Sequence, residues 1–176
     1  MQIHASALIK HPVGRVYHAY RDELPQVAAF MANIKEIRIL RQEPIDGGVR
    51  LHNEWAGRGE IPKVAQGVIK PDMVKWDDYA EWHDDTRLCN WRIATRFFTS
   101  SVKCQGKTRL SEEGPGRTRI TLEGDLAIDL QEVPGVPRFL AGSVAPHIER
   151  FIIALIKPNL EQVNVALEQY LDAQAR

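Results

Sequence analysis

The sequence predicts an α+β domain in which an antiparallel sheet packs on one long, kinked C-terminal helix. Three observations carry this. Apolar residues recur three or four apart from residue 143 to 174: Val144, Ile148, Phe151, Ile152, Leu155, Ile156, Leu160, Val163, Leu167, Tyr170 and Leu171, the period of a helix with one greasy face. The middle of the chain instead alternates with period two between turn signals, as antiparallel strands do. Finally, 176 residues are the length of one domain with its own core.

The chain opens with a strand over Ile3–Ile9, broken by His11-Pro12. Pro12 suits a first helical turn, and Val13, Val16, Tyr17 and Tyr20 keep helical spacing. Asp22 is the expected cap of a second short helix carrying Leu24, Val27, Ala28 and Met31. Ile34–Ile45 reads as a strand, Asp46-Gly47-Gly48 as a turn, and Val49, Leu51, Asn53 and Trp55 as the buried face of the returning strand. Ile61, Val64, Ala65, Val68 and Ile69 form one helical stripe with Pro62 at its start and Pro71 just beyond, a short helix placed as a lid.

Two further strands follow, Met73–Asp84 and Leu88–Phe98. Loop parity decides which side chains share a face, because a slip of one residue inverts them all. An even loop puts Trp76, Ala80, Trp82, Cys89, Trp91 and Ile93 on one face and Asp77, Tyr79, Glu81, His83, Asn90, Arg92 and Arg96 on the other. An odd loop mixes tryptophans with charges and forfeits about 2–3 kcal/mol for each exposed indole, so the even loop is expected. The inner face continues through Val102, Cys104, Gly106, Thr108 and Leu110. Past the Gly114-Pro115-Gly116 turn it reaches Ile120, Leu122, Gly124 and Leu126. In this register Gly106 faces Gly124, which leaves a dent and permits a bend. Pro134-Gly135-Val136-Pro137 breaks the chain before the long helix. Ser143 is its expected N-cap, Pro146 lies in its first turn, and Pro158 is expected to kink it.

Lys plus Arg and Asp plus Glu balance at 23 each, which argues against nucleic acid as a partner. No apolar run spans a bilayer, and the N-terminus lacks a secretion-signal pattern. The expectation is a cytoplasmic protein. Cys89 and Cys104 lack metal-type spacing and read as buried free thiols. His83-Asp84-Asp85 has no second ligand cluster near it, so no metal and no cofactor are expected. The other histidines are scattered, and no phosphate loop, serine elbow or Cys-His pair occurs.

The order of strand, two short helices, about six strands and a long helix resembles the helix-grip fold of the START/SRPBCC superfamily, with the birch-pollen-allergen-like proteins. The stretches His11-Pro12-Val13-Gly14-Arg15-Val16-Tyr17, Trp76 with Trp82, Trp91-Arg92-Ile93 and Pro158-Asn159-Leu160 are similar to the coenzyme-Q-binding and polyketide cyclase/dehydratase branch. The resemblance covers essentially the whole chain. It implies a curved sheet gripping the helix, and an apolar cavity between them holding a lipid, isoprenoid, sterol or aromatic product.

The face shared by sheet and helix supplies the candidate ligand-binding residues. They are Leu51, Asn53 and Trp55 of the first hairpin, with Trp76, Asp78, Trp91 and Ile93 of the next pair. Cys104 and Leu122 add to these from the last pair, as do Phe151, Ile152 and Leu155 from the helix. Asp78 is the sharpest. A carboxylate on a tryptophan face binds a polar group or carries a raised pKa. Otherwise it turns to water at a bulge or pairs with Arg41. Arg41 and Asn53 are candidates for orienting a ligand headgroup, with Arg41 snorkelling at the sheet edge as the alternative. Asn159 is expected to satisfy the backbone group that Pro158 frees. The four tryptophans serve as core, as aromatic wall, or as both.

The first functional expectation is a non-enzymatic binding module for a hydrophobic small molecule, acting as carrier, chaperone or sensor. The second is a cyclase/dehydratase-type enzyme with Asp78 moving protons. A third is a partner-binding subunit whose cavity is filled by its own side chains. The sequence assigns no oligomeric state.

Overall fold

Alternating burial builds the sheet. A computed structural model of the chain describes residues 1–58, 61, 63, 66, 70, 74–96, 99–129 and 138–175, with backbone alone at 138–141. Strand β1 (Gln2–Ile9) is followed by helix α1 (Val13–Asp22), the single turn α2 (Leu24–Val27) and a 3-10 turn at Ala28–Phe30. Strands β2 (Ile34–Ile45), β3 (Gly48–Gly57), β4 (Lys75–His83), β5 (Leu88–Thr95), β6 (Val102–Glu112) and β7 (Thr118–Ile128) come next, then helix α3 (Arg138–Gln174). The seven described strands form one antiparallel sheet in the order β1-β7-β6-β5-β4-β3-β2. Every paired couple but one is consecutive in sequence. The exception closes the chain's two halves, with Ile3 opposite Gly124.

The β4–β5 turn is even, as burial required. Residues 84–87 form it, His83 faces Leu88, and Trp82 faces Cys89. Trp55, Trp76, Trp82 and Trp91 all point inward and are buried. Asn53 lies opposite Asp78, and Trp55 opposite Trp76, with their rings stacked at 5.7 Å. Gly106 does face Gly124. Their missing side chains make a seat for the Trp91 indole: a Cβ on Gly106 would lie 2.5 Å from its Cζ2, and one on Gly124 would lie 2.6 Å from its Cη2. The dent is therefore occupied by an indole. The indole N–H donates to Thr108 Oγ1 at 3.1 Å.

Helix α1 is pinned to the sheet edge-on by aromatics. Tyr17 and Tyr20 each meet the Trp82 ring at 5.3 Å. Tyr17 also donates to Asp84, and Arg21 bonds the same carboxylate at 2.6 Å. Asp84 is thus a latch for α1. In the same turn Asp85 accepts from the Thr86 backbone N–H.

Two local expectations are corrected here. Asp22 does not cap α2, because its carboxylate is held by Arg21 and His18, and α2 starts after Glu23 with no side-chain cap bond. Helix α3 begins at Arg138, so Ser143 lies inside it and is no N-cap. Pro146 deletes the bond to Gly142, yet both residues are exposed, so water serves the freed carbonyl. Helix α3 likewise continues through Pro158. The apolar face of α3 from Ile148 to Leu171 completes the core with the inner face of the sheet. The lid helix at 61–69 falls mostly, and the break at 134–137 entirely, outside the described residues, as do Met73, Phe97 and Phe98. Among the described residues no helix is long and apolar enough to cross a membrane.

Candidate ligand-binding cavity

Between the inner face of the sheet, α1 and the middle of α3 lies an irregular hollow. Its volume is about 40 Å³. That holds a few waters as it stands. The walls come from every layer. Asn53, Trp55, Trp76 and Asp78 come from β3 and β4, Trp91 and Ile93 from β5, and Leu122 from β7. These seven are among the residues expected from sequence. The other five, Leu51, Cys104, Phe151, Ile152 and Leu155, are buried in the core but lie outside this lining. The hollow sits about one helical turn further along α3 than expected, against Ile156, Asn159, Leu160 and Val163. Tyr20 and Leu24 close it from the short helices, and Trp82, Cys89 and Thr108 complete it from the sheet. Tyr20 and Thr108 carry the sequence signal of inward spacing, whereas nothing local in sequence places Tyr20 over the sheet.

Asp78 stands mid-strand in an unbroken ladder, with Asn53 on one side and Ile93 on the other. No bulge turns it to water. Arg41 is no partner either. A register shift between Ile39 and Arg41 places Arg41 opposite His52, where it is 72 % exposed and pairs with Glu43. It therefore takes no part in the cavity. Burial pushes the Asp78 carboxyl up to about 6, opposed by the Asn53 hydrogen bond, by the nearby Trp55 N–H and by the charge of His52. Asn53 Nδ2 donates to Asp78 Oδ2 at 3.0 Å. The Trp55 N–H faces the same carboxyl but falls short of hydrogen-bond geometry.

Three wall residues thus hold unsatisfied polar atoms: Asn53 Oδ1, Trp55 Nε1 and Asn159 Oδ1. Each residue is at least nine-tenths buried, so each orphan atom costs on the order of 1–3 kcal/mol. Asn159 Nδ2 donates to the Leu155 carbonyl at 2.6 Å. The carbonyl that Pro158 frees belongs to Ala154, four residues back, so Asn159 does not repair that gap, and its oxygen is left without a partner.

A larger depression of about 890 Å³ lies on the opposite face of the sheet, beside Tyr79, Arg92, Gln105 and Glu123. It is wide open and several of its charges are matched: Arg50 with Glu81, Lys107 with Glu123, and Arg92 over the Tyr79 ring. Unlike the inner hollow, it has no buried unpartnered side-chain atom among the described residues that line it. His83 is held by Glu81, and among the described residues no group of His, Cys, Asp or Glu suits a metal.

The fold has known counterparts. A crystal structure of TTHA0849 from Thermus thermophilus superposes with a TM-score of 0.68 at 18 % identity, over 100 % of both chains. The Zhui aromatase/cyclase from Streptomyces sp. R1128 gives 0.64 at 15 % identity, over 100 % of this chain and 96 % of its own. Ara h 8.0201 gives 0.55 at 13 % identity, over 98 % of each. The chain has the helix-grip fold. No family model matches the sequence, and no curated protein matches it significantly. In helix-grip terms, the hollow lies where the sheet closes on the gripped helix.

Proposed function

We propose that this helix-grip domain binds a small apolar molecule in the hollow beside Asp78, with the polar end of that molecule against Asp78, Asn53 and Asn159. The supporting observation is that three residues lining one aromatic-walled space, two from β3 and one from α3, each hold a buried polar atom without a partner. A core evolved only for packing would leave few such atoms around one space. A ligand held there is carried or sensed and need not be transformed. The hollow is narrow, so a body larger than a few waters enters by displacing the side chains of Ile156, Leu160 or Trp82. A long-chain lipid or quinone would need α3 to move as a whole.

Native mass spectrometry of the gently purified protein, before and after organic extraction, tests this reading. The expected result is an adduct of a few hundred daltons, released on extraction. A bare-chain mass, with no change in tryptophan emission on adding single-ring aromatics, would favour a cavity filled by its own side chains.

A second reading is favoured by Asp78 alone. A carboxyl poised at about 6 exchanges protons readily near neutral pH, as a cyclase or dehydratase requires. The observation that decides is turnover: conversion of a bound polyketone by the wild-type chain and not by Asp78→Asn would establish the enzyme.

A further inference from the structure

We propose that the molecule taken up by this hollow is a protonated amine on an aromatic or apolar body. This rests on the binding reading above and narrows its chemistry. The polar atoms of the wall are unequal in kind. Asn53 and Asn159 both give their amide N–H groups to acceptors, Asp78 Oδ2 and the Leu155 carbonyl. Those partners fix the amide orientations, since neither a carboxylate nor a carbonyl can donate. What remains without a partner on these lining residues is Asn53 Oδ1 and Asn159 Oδ1, both acceptors, beside the carboxylate itself. Against these stands one fully buried donor with no partner among the described residues, the Trp55 N–H. A second wall indole N–H, that of Trp91, is already committed to Thr108. A ligand that satisfies this wall must donate more hydrogen bonds than it accepts.

Charge points the same way. Among the described residues, Asp78 is the only carboxylate in the lining, and no Lys, Arg or His is there. Facing it are Tyr20 from α1, Cys89 from β5 and Cys104 from β6, all of them neutral when burial raises their pKa. From α3 come Ile156, Asn159, Leu160 and Val163, none titratable. His52 acts on Asp78 from the other face of the sheet, where it is bonded to Asp77 at 2.8 Å. An ionised Asp78 therefore has no partner cation among the described residues of the hollow, and a ligand ammonium would supply one. Trp55, Trp76, Trp82 and Trp91 add four aromatic faces around it, the surroundings that cations prefer to aliphatic walls.

The test uses three probes of one shape on the full chain: benzylamine, benzyl alcohol and benzoate, titrated by calorimetry and tryptophan emission at pH 7.5 and pH 5. The amine is expected to bind at least about tenfold more tightly than the alcohol at pH 7.5, with benzoate weakest. At pH 5, where Asp78 is protonated, the amine's advantage should shrink to about twofold. In Asp78→Asn that shrinkage should appear at both pH values, with circular dichroism confirming the fold. A pH dependence that persists in Asp78→Asn would assign it to a group other than Asp78 and overturn the proposal. If the alcohol binds as tightly as the amine at pH 7.5, the amine inference falls while the cavity reading stands. If none of the three binds, both fall.

Discussion

Asp78→Asn should make the folded protein more stable at pH 8. The side chain keeps its shape and can still accept from Asn53, but it cannot ionise. In the wild type the carboxyl moves from an ordinary 3.8 to about 6 because burial penalises the charged form. At 1.36 kcal/mol per pKa unit, the ionised folded state carries a penalty of about 3 kcal/mol. The folded state holds the proton more tightly than the unfolded chain. Stability therefore falls as pH rises from about 4 to about 6, and stays lowered above that. The variant should gain about 2–3 kcal/mol at pH 8 and almost nothing at pH 4. Urea denaturation followed by tryptophan emission should show this as a midpoint shift of about 1 M at pH 8, for an m-value of about 2–3 kcal/mol/M. Equal midpoints at pH 8, or a gain independent of pH, would refute the claim that Asp78 is a desolvated carboxylate.

Other outcomes follow from the same geometry. Gly106→Ala should cost about 2–4 kcal/mol by urea denaturation, since its Cβ would strike the Trp91 ring and the Gly124 Cα, 2.7 Å away. Gly14→Ala, in α1 with nothing within 4 Å of the new Cβ, should instead stabilise by about 0.5–1 kcal/mol. Glu54 is buried on the outer side of β3 among Arg38, Lys75 and Arg96. The Arg38 hydrogen bond, with help from the other two cations, holds its carboxyl at about 2. Its stabilising effect is fully present above about 4.5 and is lost as pH falls toward 2. Glu54→Ala should cost about 1–2 kcal/mol at pH 7 in thermal melts, modest because its cations reach water, and much less at pH 2. Burial pushes the Cys104 thiol up to about 12 and raises the Cys89 thiol well above its ordinary value. Both should react with a disulfide reagent in urea far faster than in the native protein.

The sheet was legible because indoles are expensive to expose. Trp76, Trp82 and Trp91 fixed the parity of the β4–β5 loop, and parity fixed the faces, including the position of Asp78 among them. The seat formed by Gly106 and Gly124 was legible as a pair but not as an indole seat, because its occupant comes from β5 by tertiary packing. What failed were features decided by competition between neighbours. Asp22 had a cap residue's chemistry, but Arg21 and His18 claimed it first. Arg41 lost its place to a register shift that no residue type announces. On α3 the apolar stripe runs the full length, so periodicity showed the face but not the turn that meets the hollow. Asn159 has the chemistry of a backbone repair, yet it bonds the Leu155 carbonyl and leaves its oxygen unpartnered beside the hollow's lining.

The pairing of the first strand with the last has a kinetic consequence. Six strands join their neighbours across short turns or single connections, and those ladders can zip locally. Strand β1 must wait for β7, more than a hundred residues away in sequence, so its docking carries the largest loop-closure entropy in the sheet. Substitutions at Ile3 or Ile9 should therefore speed unfolding while leaving the refolding rate nearly untouched. The strand that begins the chain would be the last to find its place.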